Sequence, residues 1–433
     1  MSIQAEGEAE AGEPAAAPGW RGGLSLLRER DFPRLFAARM VSAFGTSMAY
    51  VALPFAVLDL VGPENPEPVG HVIAAASAAQ LLFQIFGGAL ADRGSRQRMM
   101  VGADALAMSA QGAIAALILT GTATVPLLVG LSAFMGIAFA LHWPASVGLV
   151  PLVVDRDRLQ PANALLSVAN STALGLGAAV GGIVCATAGA GWALGIDALT
   201  FLAAAVLVAS LRPRPQARRE EHGEPALERP SMLRDIRDGW HEFIAHRWLW
   251  TIVAQFSLLV MGFQATYAVI GPIVSERSMG GSADWGFISA GFGAGLFGGG
   301  LLAMRVHFAR PILVGVLCCF LLALLPVFLI GPSPLAVVVA GSFLAGVGIE
   351  IFSIAWNTAL HTHVAPEALS RVSAYDVVGS IALAPVGIGL AGSMVATVGA
   401  PTTLEIAAAM IVVPTAIVLL VPEVRELRAV SGR

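Results

Sequence analysis

Charged side chains crowd a short connector between two apolar runs of this sequence. The connector holds one carboxylate and three arginines, in the order Asp92, Arg93, Arg96 and Arg98. The runs on either side, 69–91 and 99–119, are each about 20 residues long, enough for a helix to cross a hydrocarbon core of about 30 Å. The connector, which we call the 87–98 hairpin, is therefore predicted to lie at a membrane surface and to act as a charged latch. A solvated loop that only sets the orientation of the chain is the alternative.

Further charges lie inside the predicted apolar runs. Glu350 is at the middle of its run, where a carboxylate costs several kcal/mol unless it is paired, hydrated or protonated. We therefore predict that Glu350 exchanges a proton; a permanent hydrogen bond to a neighbouring helix is the alternative. Asp197, in the outer half of its run, and Arg39, one turn inside the first run, are further candidates for proton coupling. Arg39 could instead extend its charge to the membrane surface. Asp104 lies similarly close to the end of its run and is expected to be structural.

Several polar or aromatic side chains also lie deep in the apolar runs, where an amphipathic ligand would need them. Each of them could equally join neighbouring helices, so about half are expected to line a cavity. The predicted cavity residues are Tyr50, Gln80, Gln84, His142, Asn170, Gln264, Tyr267, Trp356 and Asn357.

Composition places these residues in an all-α membrane protein. The chain has 433 residues, of which 56% are hydrophobic and 12% charged, whereas a soluble domain carries about 25% charged residues. Twelve apolar runs are predicted to be transmembrane helices, at 34–61, 69–91, 99–119, 125–154, 162–188, 191–211, 248–274, 284–305, 311–330, 334–360, 372–398 and 401–421. Cys185, Cys318 and Cys319 all fall inside these runs and are expected to pack as small hydrophobic residues.

Arginines indicate how the helices are oriented. All 25 basic residues are arginines, and Arg277 alone falls in an odd-numbered loop. The excess on the other side predicts that both termini are cytoplasmic. Trp192 and Trp285 are then expected to anchor the outer membrane interface.

The chain is predicted to have five parts, two of which are six-helix bundles that repeat each other. Phe139 and Trp143 recur as Phe352 and Trp356, and the segments 87–93 and 157–161 are echoed at 299–305 and 367–371. Three matches in nearly the same register indicate duplication of a six-helix unit. The predicted parts are a disordered tail and surface approach at 1–33, a six-helix bundle at 34–211, a cytoplasmic linker with an amphipathic helix at 212–247, a second six-helix bundle at 248–421 and a cytoplasmic tail at 422–433.

The 87–98 hairpin also carries a resemblance to a known family. Its pattern Gly88-x-x-x-Asp92-Arg93-x-x-Arg96 resembles the signature between the second and third helices of the major facilitator superfamily. The resemblance covers nearly the whole chain and implies two pseudo-symmetric six-helix bundles with a substrate site between them. It departs from the family at Ser95, where the signature has a second glycine.

The same resemblance implies a cytoplasmic gate built around the hairpin. In the family the aspartate faces the start of the eleventh helix, here at 370–373, and a basic residue of the signature pairs with an acid that ends the fourth helix. Transferred to this chain, Arg96 would pair with Asp155 or Asp157. The full set of predicted gate residues is Gly88, Asp92, Arg93, Arg96, Asp155, Asp157, Arg371 and Asp376.

The direction of transport is predicted from a further resemblance. The segment 177–182 resembles an exporter-associated pattern, with Ala178 in place of proline, and the segments 52–60, 162–166 and 365–376 are similar to enterobactin-exporter-like and macrolide-efflux-like permeases. These resemblances imply proton-coupled efflux of a drug, siderophore or secondary metabolite by alternating access across the plasma membrane of a bacterium. Glu350→Gln is then predicted to abolish this transport. Uptake of a nutrient by the same fold, or a membrane sensor that transports nothing, are the alternatives.

Enzymatic and energy-consuming chemistry receives no support from the motifs. The sequence has no lysine and no phosphate-binding G-x-x-x-x-G-K-S/T loop, so a self-contained ATP-driven pump is excluded. The dinucleotide-like pattern at 293–298 lies inside an apolar run, which predicts helix packing. We expect no cofactor, no metal and no nucleic-acid partner: the predicted partners are a small-molecule substrate, protons and the lipid bilayer, and the chain is expected to work as a monomer.

Overall fold

Twelve long helices, numbered α1 to α12 in chain order, make up most of the described chain. The computed structural model describes residues 25–93, 95–155, 158–212, 240–306, 308–331 and 333–427, and only the backbone at 85–93, 366–367 and 370–371. The helices are α1 Phe32–Val61, α2 Glu67–Arg93, α3 Arg96–Leu119, α4 Val125–Val153, α5 Leu159–Ala188, α6 Ala190–Ala209, α7 Arg247–Ser278, α8 Gly281–Arg305, α9 Pro311–Leu329, α10 Leu335–His363, α11 Pro366–Val398 and α12 Ala400–Val418. Eleven of them, all except α2, are long and apolar enough within the described residues to cross a membrane. The predicted all-α membrane fold is confirmed.

Three of the predicted runs are interrupted, each close to a proline. A proline has no N–H to donate to the carbonyl four residues earlier, so the preceding turn is free to change its geometry. In α7 the turn Thr266–Ile270 is a π-helix before Pro272. In α9 Cys319–Ala323 is a 3₁₀ turn before Pro326, and α11 breaks between Ile381 and Ala384 before Pro385.

The two halves, α1–α6 and α7–α12, repeat each other in their local geometry. Gly189 and Gly399 both have positive φ, +98° and +86°, and each joins the last two helices of its half. Gly136 of α4 lies so close to α2 that a methyl group on it would be 2.0 Å from the Ala76 carbonyl oxygen. Gly346 of α10 makes the same contact with α8, at 2.3 Å from the Phe292 carbonyl oxygen. These matched contacts identify two pseudo-symmetric six-helix bundles.

The halves meet on one side of the molecule. We call the end at which α1 begins and α12 ends the termini side, and the opposite end the far side. On the far side α5 packs against α8 and α2 against the Ala384–Val398 piece of α11. Arg277 donates from Nε to the Pro63 carbonyl oxygen at 3.0 Å and so joins the far-side end of α7 to the loop between α1 and α2. The termini-side piece of α11, Pro366–Ile381, packs instead on α7 and α10 of its own half.

One of the two tryptophans predicted to anchor the outer membrane interface does not lie there. Trp285 is only 1% exposed because it packs against Gly271 of α7, so it is not an anchor at the membrane interface, whereas Trp192 is exposed.

The surface helix predicted at 231–247 of the linker is described in part: residues 240–245 are helical, and 231–239 lie outside the described residues. The predicted domain boundaries stay a prediction, and Leu26, assigned to the surface approach, is fully buried.

Candidate functional site

A cavity of about 360 Å³ lies between the two halves at mid-length of the helices. Each half contributes one tyrosine and one glutamine to its wall: Tyr50 and Gln80 from α1 and α2, and Tyr267 and Gln264 from α7. We call it the central cavity. Tyr50 is 57% exposed, so its ring faces open space. The mixture of phenol, amide and apolar groups suits an organic molecule with both aromatic surface and hydrogen-bonding groups.

Asp197 of α6 is the one carboxylate among the described residues that line the central cavity. Its side chain is fully buried, and α1 approaches it closely because Gly45 has no side chain. One carboxylate oxygen, Oδ1, accepts a hydrogen bond from the Thr200 hydroxyl at 3.3 Å. The other, Oδ2, has no hydrogen-bond donor among the described residues. A proton, a water molecule or a donor group of a ligand would satisfy this oxygen.

A second cavity, of about 380 Å³, lies within the first half, nearer the termini side. Its wall includes Arg39 of α1, which donates to the Ser146 hydroxyl oxygen of α4 from Nε at 2.9 Å and from Nη2 at 2.5 Å. It also includes the pair of Asp104 on α3 and His142 on α4, whose Oδ1 and Nδ1 atoms are 2.8 Å apart. We call this the second cavity. Asn170 lines it as well, so two of the predicted cavity residues, His142 and Asn170, lie here.

The remaining predicted cavity and coupling residues lie elsewhere. Glu350 is half-buried in the contact between α10 and α8, with its Cβ 2.9 Å from where a Cβ on Gly299 would be, and lines neither cavity. Asn357 is exposed and donates to the Ser353 carbonyl oxygen of its own helix. Gln84 is half-buried and lines neither cavity. Their assignment to transport stays a prediction.

Much of the predicted gate lies outside the described side chains. Asp157 is not described at all, and Gly88, Asp92, Arg93 and Arg371 are described only as parts of the helical backbone of α2 and α11.

Arg96, the best-described residue of the gate, opens α3 and reaches α4. Its Nη1 donates to the Gly148 carbonyl oxygen at 2.7 Å. Gly148 makes room for it, since a methyl group there would be 2.6 Å from Arg96 Nε. Asp155, two turns further along the chain, is exposed. Arg96 thus joins the start of α3 to α4, and its predicted pairing with Asp155 or Asp157 stays a prediction.

Asp376 and Trp356, predicted for the gate and the substrate cavity, instead bond to each other. Trp356 Nε1 donates to Asp376 Oδ2 at 2.9 Å, and the Ser380 hydroxyl donates to Oδ1 at 3.2 Å. Both Trp356 and Asp376 are buried, and the indole stacks on Phe352 with ring centroids 6.0 Å apart. The pair ties α10 to the termini-side piece of α11.

Trp356→Phe is expected to destabilise the protein by about 1–3 kcal/mol, because it leaves one oxygen of a buried carboxylate without its donor. Thermal unfolding of the purified protein in detergent measures the effect. Trp192→Phe, at an exposed position, is the matched control and should leave the melting temperature unchanged. Equal melting temperatures for the two variants would show that the Trp356–Asp376 bond contributes no stability.

Sequence reasoning missed the partnership of Asp104, which was expected to be structural. Asp104 and His142 are 38 positions apart on different helices, and no local pattern joins them. The available signal was weak: two titratable residues at similar depth in adjacent apolar runs.

Comparisons with known proteins agree with this architecture. The family model described as Major Facilitator Superfamily matches residues 35–384. The enterobactin exporter EntS of Shigella boydii is 25% identical over 391 residues, covering 87% of this chain and 88% of that protein. An uncharacterized MFS-type transporter, YkuC of Bacillus subtilis, is 24% identical over 364 residues, covering 81% and 82%.

Solved structures agree in fold. The D-xylose-proton symporter superimposes with a TM-score of 0.67 at 14% identity, covering 92% of this chain and 99% of that one. A bacterial homologue of the lysosomal transporter Spinster, in an inward-facing and unoccupied conformation, gives 0.68 at 15% identity, covering 93% and 100%.

Proposed function

The chain belongs to the major facilitator superfamily, and from this premise we propose that it is a secondary active exporter that exchanges protons for a small organic molecule. The observation that carries the proposal is the central cavity, which both halves line and which contains a buried carboxylate with an oxygen that lacks a donor. Sites at the interface of two rocking bundles are the basis of alternating access.

The arrangement of the halves supports a cytoplasm-facing state. The halves contact each other on the far side, while the termini-side piece of α11 packs on its own half. If the arginine excess places both termini in the cytoplasm, the central cavity receives its substrate from there. In the opposite state, the 87–98 hairpin would close the termini side, with Asp92 against the start of α11 while Arg96 keeps its contact with α4.

Proton coupling follows from the chemistry of Asp197. A carboxylate oxygen without a donor in an apolar interior is stabilised either by a proton or by a donor group of the substrate. Because one oxygen serves both, the proton and the substrate compete for it. Competition for one site, combined with alternating access, gives antiport: the substrate leaves the cell when a proton enters.

The substrate is proposed to be a drug, siderophore or secondary metabolite with aromatic and hydroxyl or amine groups. Tyr50 and Tyr267 offer aromatic faces, Gln80 and Gln264 offer amide donors and acceptors, and Asp197 accepts from hydroxyl or ammonium groups. Relatives at 25% identity that are named as enterobactin exporters support export and supply a first probe, enterobactin, whose catechol hydroxyls are donors of this kind.

The test is the direction of proton movement in liposomes that contain the purified protein. The dye pyranine inside reports the internal pH, both sides start at equal pH, and valinomycin with potassium removes the membrane voltage. Adding enterobactin outside is expected to raise the internal pH, because each molecule that enters expels protons. This sign does not depend on how the protein is oriented in the liposome, and protein-free liposomes are the control.

Other outcomes contradict the proposal in distinct ways. A fall in internal pH means that enterobactin and protons move together, as in an uptake symporter. No change with enterobactin, a macrolide or a cationic dye favours a sensor that transports none of these compounds.

A further inference from the structure

The Asp104–His142 pair has the geometry of an imidazole held for proton transfer. Asp104 is fully buried and His142 mostly so, and their Oδ1 and Nδ1 atoms are 2.8 Å apart. A histidine that donates its Nδ1–H to a carboxylate keeps Nε2 free to accept a proton. Asp104 Oδ2 has no hydrogen-bond donor among the described residues, so the bond to His142 is the contact that fixes this carboxylate. The sequence expectation that Asp104 is structural leaves the pair's place in a cavity wall unexplained.

The second cavity adjoins the central cavity and extends from it toward the termini side. Thr46 of α1, Phe139 of α4 and Leu174 of α5 line both cavities, so the two share a wall. Helix α6 presents Asp197 to the central cavity and, one turn later, Phe201 to the second cavity. His142 lies one turn beyond Phe139 in the same direction. The pair therefore stands between Asp197 and the water of the termini side.

Few other charges face the pair. Among the described side chains that line the second cavity, Arg39 of α1 is the one further charged group, and it binds the Ser146 hydroxyl. Helix α6 contributes Asp197, in the neighbouring cavity, and α5 contributes the neutral Asn163, Ser167 and Asn170. His142 is thus the one imidazole that these helices present to either cavity within the described residues. An imidazole can both accept and donate a proton, as a relay must.

We propose that His142 carries the proton between Asp197 and the water on the termini side, with Asp104 as the positioning residue that holds its ring. The inference rests on the proposed antiport and assigns its proton path. When a proton moves from the outside to the inside, substrate binding displaces it from Asp197. The O–H bond of Asp197 breaks, and an N–H bond forms at His142 Nε2, directly or through water. The imidazolium then returns the same proton to termini-side water, which leaves His142 neutral and Asp197 as a carboxylate that accepts from the substrate.

The decisive experiment separates proton transfer from substrate movement. In pyranine-loaded proteoliposomes, His142→Ala is expected to slow enterobactin-driven proton movement about tenfold or more, since a positioned acid–base group is worth at least that factor. Exchange of labelled for unlabelled enterobactin needs no net proton transfer and is expected to continue. Added imidazole should restore proton movement in His142→Ala by occupying the vacated part of the second cavity. Asp104→Asn should slow proton movement without being rescued by imidazole, because the His142 ring is still present and leaves no space for it.

His71→Ala is the matched control, since His71 is an exposed histidine near the far-side end of α2. It should behave as the wild type and show no response to imidazole beyond that of the wild type. Wild-type proton movement in His142→Ala, or loss of both proton movement and exchange without imidazole rescue, would overturn the relay. Failure of the wild type to move protons with enterobactin is a different result, since it contradicts the proposed antiport itself.

Discussion

Asp197→Asn is expected to reduce enterobactin-driven proton movement at least about tenfold and to make enterobactin binding independent of pH. In the wild type, the proton and the substrate compete for Asp197 Oδ2, the buried oxygen that lacks a donor among the described residues. Binding should therefore strengthen as the pH rises, by about tenfold per pH unit over the range in which Asp197 carries the proton. An asparagine cannot exchange a proton, so the slope disappears.

Enterobactin binding at a series of pH values, followed by tryptophan fluorescence of the detergent-purified protein, measures this slope. Asp59→Asn is the matched control, because Asp59 is an exposed carboxylate at the far-side end of α1 that lines neither cavity. Glu350→Gln is the informative comparison. If Glu350→Gln removes the pH dependence and Asp197→Asn keeps it, proton exchange belongs to Glu350 in the α8–α10 contact, and the assignment to Asp197 is wrong.

The structure places Asp197 in a cavity wall and Glu350 in a contact between two helices, and this difference shows what a membrane sequence can predict. Long apolar runs determine helices and their order, because a lipid-exposed backbone must satisfy its own hydrogen bonds. The position of a charge along its run predicts its depth, and both carboxylates are indeed deep. Depth does not say which way a side chain points. In soluble helices the polar face reveals the direction of the core, but here lipid and protein interior are both apolar, so that signal is missing.

Because sequence gives the depth of a side chain and not its direction, other predictions also differ from the structure. Trp285 is at the predicted depth for an interface anchor but on the inner face of α8, where Gly271 leaves room for its ring. The bond between Asp104 and His142 depends on how α3 packs against α4, which neither helix encodes by itself. The repeat was predictable because both halves keep the same geometric requirements, such as the left-handed glycines at 189 and 399.

Gly182→Val is expected to abolish transport by preventing closure of the far side. A Cβ atom at Gly182 of α5 would be 2.5 Å from the Ser282 carbonyl oxygen and 2.8 Å from the Gly286 Cα atom of α8. Both are backbone atoms, which cannot rotate away, so the two helices must separate. Because α5 and α8 belong to different halves, each bundle should still fold while the state with a closed far side becomes unfavourable. Enterobactin-driven proton movement is expected to fall at least about tenfold, because alternating access needs both states and the variant rarely populates one of them.

Gly130→Val provides the control, because a side chain at Gly130 meets open space. Cys185, one turn from Gly182 and only 8% exposed, is a native reporter of the far-side contact once Cys318 and Cys319 are replaced by serine. Opening the far side should increase labelling of Cys185 by a membrane-impermeant maleimide severalfold in Gly182→Val and not in Gly130→Val. Lost transport with unchanged Cys185 labelling would mean that the valine damages the fold locally. Lost transport with increased labelling ties activity to the far-side contact, because the same separation of α5 from α8 that exposes the thiol also prevents the cavity from facing the termini side alone.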